Sequence, residues 1–241
     1  MEDSMDKKFR LASLMLVIAM VLVLAGCVVK DTDPQNAAYV TLTVEAAPGK
    51  AADGSLIAAK ALEIPAEGTT VGDVIKSVHE KWFTDGEAGY STSAGQYGDM
   101  ITKLWGIENG GSYGYYINGA MAMGLTDPVK PGDIIDVFVY KDAAGYSDIY
   151  THLTAEANGA EVTVTVNAVT GFDANYNPVF GPLAGTKVCY IGSTGNLVDT
   201  GIVTGEDGTA SITLKNGIYR IIGINTNGVY TISAQKITVN K

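Results

Sequence analysis

An aromatic segment that runs into an Asn-Gly pair limits this chain most. Residues 112–119 read Ser-Tyr-Gly-Tyr-Tyr-Ile-Asn-Gly. Tyrosine and isoleucine suit an extended strand. Asn118 and Gly119 both tolerate positive φ, so together they fit a tight hairpin turn. A second turn, Lys130-Pro131-Gly132-Asp133, leads into a β-rich run over residues 134–140. Successive strand residues face opposite sides. Tyr113, Tyr115 and Ile117 therefore share one face, and Gly114, Tyr116 and Asn118 share the other. Ile117 marks the first face as core. Gly114 beside Tyr116 leaves a shallow recess on the second, where a flat ligand could stack on a ring and Asn118 could offer its amide.

The preceding segments supply the rest of a small domain. Residues 39–46 alternate, with Val40, Leu42 and Val44 on one face and Thr41 and Thr43 on the other, as in a half-buried strand. A turn at 48–54 and a second strand at 55–64 predict a hairpin. The clearest helix spans 70–82, where Val71, Val74, Ile75, Val78 and Trp82 form one apolar stripe. Thr70 can cap it, with Asp73 in the capping-box position. Strand, strand, helix, strand, strand is the order expected of one helix lying across a small mixed sheet. Residues 85–98 are rich in Gly and Ser and carry Tyr90 and Tyr97. They read as an irregular connection, either disordered or ligand-facing.

Residues 140–159 lack clean periodicity, and a domain break is expected near Asn158-Gly159. Beyond it, Val162, Val164, Val166 and Ala168 alternate with Thr163, Thr165 and Asn167. Further short strands are expected at 187–191, 209–214, 218–225 and 229–239. Asp207-Gly208, Asn216-Gly217 and Asn227-Gly228 mark turns between them. This spacing predicts a small all-β sandwich. The fold class is therefore mainly β, α+β overall.

The chain has 241 residues and a net charge of −10, which makes nucleic acid and anionic headgroups poor partners. At the N-terminus Lys7, Lys8 and Arg10 precede an apolar run over 11–24, the layout of an export signal. Leu24-Ala25-Gly26-Cys27 resembles a bacterial lipobox. That resemblance implies a signal peptide over 1–26, cleavage before Cys27, and a diacylglycerol thioether on its sulfur. The protein would then sit on the extracellular face of the cell membrane, with 27–38 as a tether. Lipidation leaves Cys189 alone in an apolar run, as a buried thiol.

Signatures of catalysis are absent from the sequence. His79 and His152 are the only histidines, and His79, beside the apolar stripe, reads as a surface or packing residue. There is no HExxH and no cysteine pair with zinc spacing. Gly89-Tyr90-Ser91-Thr92-Ser93 approaches a nucleophile elbow but lacks its final Gly. Asp173-Ala174-Asn175-Tyr176-Asn177 resembles the start of a calcium loop. Pro178 and Ala184 stand where such a loop needs Gly and Glu, so a polar turn is expected.

Tyr113-Gly114-Tyr115-Tyr116-Ile117-Asn118-Gly119, followed by Gly132-Asp133-Ile134-Ile135-Asp136-Val137, resembles the C-terminal domain of transcobalamin and intrinsic factor. The resemblance covers roughly 39–142 and implies a β-grasp domain, here 39–157, that binds small ligands. The sandwich, 158–241, resembles transthyretin-like or collagen-adhesin-B-type modules at Gly205-Glu206-Asp207-Gly208-Thr209-Ala210 and Asn216-Gly217-Ile218-Tyr219. Such modules are mostly spacers or adhesin stalks. The expected function is thus non-enzymatic capture of a small ligand at the cell surface, with a corrinoid such as cobalamin as the ligand the family implies. The expected contacts are Trp105, Tyr113, Tyr116, Asn118 and Gly119. No metal and no other cofactor is expected. In transcobalamin a large helical domain completes the site, and this chain has no room for one, so weaker binding is expected. The alternative is a structural or adhesive protein that docks another surface protein.

Overall fold

The computed structural model describes residues 33–96, 98–110, 112–142 and 147–240. The leader, Cys27 and the first part of the tether lie outside them. The first half contains β1 (Ala37–Val44), β2 (Ala47–Pro48), β3 (Lys60–Glu63), β4 (Thr69–Thr70) and the helix α1 (Val71–Trp82). Then follow β5 (Ser91–Gly95), β6 (Gly98–Lys103), β7 (Tyr113–Ile117), β8 (Ala120–Met121), β9 (Pro128–Val129) and β10 (Ile134–Val139). β1 and β10 run parallel at the centre of the main sheet, with Val40 opposite Ile135 and Leu42 opposite Val137. β2 and β3 flank β1 antiparallel, β7 flanks β10 antiparallel, and β8 pairs with β7. This is the strand order of a β-grasp.

α1 forms where the apolar stripe predicts it. Thr70 accepts a hydrogen bond from the Asp73 backbone N–H, and the Asp73 carboxylate accepts one from the Thr70 backbone N–H, closing the capping box. Val71, Val74, Ile75 and Val78 pack on Val40, Leu42, Ile135, Val137 and Val139 of the sheet. Among the described residues no helix is long and apolar enough to cross a membrane.

Two elements differ from expectation here. β1 begins at Ala37, so Ala37 and Ala38, expected in the tether, are buried strand residues. Residues 91–103 form a hairpin, with Ser91 opposite Lys103 and Gly95 opposite Gly98. A backbone-paired hairpin needs no apolar alternation, which is why this Gly- and Ser-rich stretch reads as irregular.

The second half contains β11 (Thr151–Asn158), β12 (Glu161–Phe172), β13 (Pro178–Pro182), β14 (Lys187–Ile191), β15 (Leu197–Val203), β16 (Thr209–Thr213), β17 (Gly217–Ile224) and β18 (Ser233–Val239). In one sheet β12 pairs with β11 along one edge and with β13 and β16 along the other. The second sheet has the order β15-β14-β17-β18. Val162, Val164 and Val166 meet Val188, Ile221, Ile237 and Val239 in a shared core, so this half is a β-sandwich.

The break expected at Asn158-Gly159 falls inside the turn of the β11–β12 hairpin, where Asn158 pairs with Glu161. β11 belongs to the sandwich, and the change of structure comes earlier, between Val139 and Thr151. Nor are the halves separate: the described chain is one compact unit. The outer face of the second sheet, through Cys189, Ile191, Ile222 and Ala234, packs on Ala58 and Ala59 of the first half. Arg220 donates to the Ala58 carbonyl at 3.2 Å, and the Ile232 N–H donates to Thr43 Oγ1 at 2.9 Å. Thr41 and Thr43, expected on a solvated face, are therefore fully buried.

Candidate functional site

The face of β7 expected to hold a ligand recess is filled. Gly114 lies opposite Phe138, and a Cβ on Gly114 would stand 2.1 Å from Phe138 Cζ. The missing side chain makes room for that ring, not for a ligand. Tyr116 is 6% exposed and stacks on Tyr150 with ring centroids 3.7 Å apart and planes 12° from parallel. Burial pushes its hydroxyl up to about 12. Tyr150, Val169 and Phe180 of the second half cover this face. The outward-facing Tyr116 of the sequence reading is thus corrected to a junction residue, because the sandwich occupies the space.

Asn118 and Gly119 hold a turn. Their φ values are 51° and 81°, as the Asn-Gly pair predicts. Asn118 Nδ2 donates to Asp133 Oδ1 at 2.8 Å, and its Oδ1 accepts from the Ile134 N–H at 2.8 Å. The amide that could have addressed a ligand ties the β7–β8 turn to the start of β10. A Cβ on Gly119 would come within 3.2 Å of the His152 ring.

Trp105 lies on the opposite side of the sheet, with the helix. It has φ 53° and packs on Phe83 and His79, with ring centroids 4.9 Å and 5.1 Å away. Its backbone N–H donates to His79 Nε2 at 2.9 Å, while His79 Nδ1 lies 2.7 Å from the Ile75 carbonyl. One neutral tautomer satisfies both contacts, with Nδ1–H donating and Nε2 accepting. Burial holds the His79 pKa below its ordinary value, against the Ile75 contact. Trp105 and Tyr116 therefore do not share a site, since the sheet lies between them.

The other face of β7 opens onto a cleft. Tyr113 and Tyr115 form one wall, Met100, Ile101 and Thr102 of β6 another, and Glu108 and Gly110 the rim. Its volume is about 570 Å3. The Tyr113 wall is braced. The Tyr113 hydroxyl lies 2.8 Å from the Ile107 carbonyl and 2.9 Å from that of Thr102, and it accepts from the Asn109 N–H at 3.3 Å. The Asn109 amide donates to the Ser112 and Tyr140 carbonyls and accepts from the Ser112 N–H. Lys103 pairs with Glu108 at 2.9 Å. The Tyr115 hydroxyl is raised above its ordinary pKa, chiefly by burial and further by Asp127.

Of the five residues chosen from sequence, only Tyr113 lines this cleft. Met100, Ile101, Thr102, Glu108 and Tyr115 were missed. Tyr115 shares the core-facing side of β7, yet it lines the cleft with residues of β6. Met100-Ile101-Thr102-Lys103 shows no apolar–polar alternation, so the sequence carried no signal for this wall. The polar turn expected at Asp173 is present: its carboxylate accepts from the Asn175 and Asn177 N–H groups and from the Asn177 amide. No protein-family model matches the chain, and no curated protein matches it.

Proposed function

We propose that the protein is a non-catalytic lipoprotein, held at the extracellular face of the cell membrane through Cys27, that takes a small ligand in the cleft between β6 and β7. The observation that carries this reading is the cleft: about 570 Å3, lined in part by Tyr113 and Tyr115. Small-molecule sites are commonly concave, aromatic and of this size. The lipobox-like Leu24-Ala25-Gly26-Cys27 supports the anchor, since two or more acyl chains hold a protein where one is marginal. The resemblance to the transcobalamin C-terminal domain supports a small ligand and makes a corrinoid the first candidate.

Calorimetric titration of the mature chain carrying Cys27→Ser with cobalamin and cobinamide tests the reading. Saturable heat that Tyr115→Ala abolishes without changing the far-ultraviolet circular dichroism is expected. Absence of heat at high concentration would remove corrinoids as the ligand. The anchor is tested by the mass of the Cys27 peptide from membranes, which should carry a diacylglyceryl adduct.

A second reading, a structural or adhesive surface module, draws on the buried junction, which joins both halves into one body suited to projecting a surface. Loss of cell attachment in a Cys27→Ser strain, with attachment kept in Tyr115→Ala, would favour it over ligand capture.

A further inference from the structure

We propose that the β6–β7 cleft selects an organic cation, a positive charge carried on an apolar or planar body. This rests on the cleft being the ligand site and names the class of ligand. Among the described residues, Glu108 is the one charged side chain lining the cleft. It is ion-paired with Lys103 at 2.9 Å, so a ligand cation would compete with that ammonium for the carboxylate. Tyr113 and Tyr115 line the cleft, and the faces of tyrosine rings are electron-rich and attract cations.

Beyond the Lys103–Glu108 pair, the charged groups near the cleft are acidic. Asp127 acts on the Tyr115 hydroxyl, and Asp99 acts on Tyr90, which neighbours Tyr115. Asp99 also stands next to Met100 at the cleft wall. The whole chain is at −10, so the long-range field favours the same ligands. An anion would meet acidic groups on approach, and a neutral ring would gain only stacking. The Met100 side chain, 57% exposed, adds a flexible, polarisable contact for the apolar part.

Three probes of similar size separate charge from shape: benzylammonium, benzyl alcohol and benzoate. Each is titrated into the mature chain carrying Cys27→Ser, with the methionine methyl groups labelled with carbon-13 so that Met100 reports the cleft. Benzylammonium is expected to shift the Met100 methyl saturably and to bind about fivefold tighter than benzyl alcohol, with benzoate weakest. Glu108→Gln, at an exposed position, should bring cation and alcohol close to equal. Equal binding of all three probes in the unaltered chain would overturn the cation proposal and leave the cleft standing as a site. No Met100 shift from any probe would overturn both.

Discussion

Asp136 is buried between the two halves, where Oδ2 accepts a hydrogen bond from the Tyr150 hydroxyl at 2.6 Å and Oδ1 has no partner among the described residues. Thr41 lies beside it on β1, and Tyr150 faces it from the sandwich. Burial pushes its pKa up to about 7, against the lowering effect of the Tyr150 and Thr41 contacts. An exposed aspartate in the unfolded chain titrates near about 3.9. The folded state therefore binds the proton more tightly, and this group's stabilisation is complete below about pH 4 and lost as pH rises through about 7. His79 acts in the opposite sense: its folded pKa is depressed, so its contribution is present above about pH 6.5 and declines as pH falls. Asp136→Asn should remove the loss between pH 5 and pH 8. Urea unfolding of both proteins at these two values should differ in pH dependence by a few kcal/mol, on the order of 1.4 kcal/mol per pKa unit. Parallel pH profiles would refute the assignment.

At the level of elements, two substitutions separate local from tertiary causes. Thr70→Ala opens the capping box and should cost about 1 kcal/mol, read as an earlier urea midpoint at unchanged slope. Gly114→Ala places a methyl group inside the Phe138 ring and should cost about 1–3 kcal/mol or more. If Gly114→Ala were neutral, the space beside Tyr116 would be open after all. These two sites also mark what was legible in the sequence. The helix, its cap, the Asn118-Gly119 turn and the alternation of β12 are specified within a few residues, and each lies where its pattern predicts. What covers each face is set by residues far along the chain. Nothing near Thr41, Gly114 or Tyr116 in sequence names Tyr150 or Ile232 as a neighbour. A half-solvated sheet was therefore the natural expectation, and the face of β7 read as open is the covered one. β15 was missed for a related reason: an edge strand with Leu197, Val198, Ile202 and Val203 all exposed follows no inward-outward pattern.

For the whole molecule, the junction predicts joint unfolding. Both tryptophans, Trp82 and Trp105, lie in the first half, so their fluorescence reports that half alone. Far-ultraviolet circular dichroism reports the strands of both. The two signals should trace one urea transition with a single midpoint, and midpoints that separate would show the halves to be independent. The same covered sheet face bears on how such a gene can be rearranged. Phe138, Tyr116 and Thr41 would become solvent-facing in a protein that carried the first half without the sandwich. A descendant that shed the sandwich should thus bear polar side chains where these three stand, and a first half transplanted unaltered into another protein should precipitate.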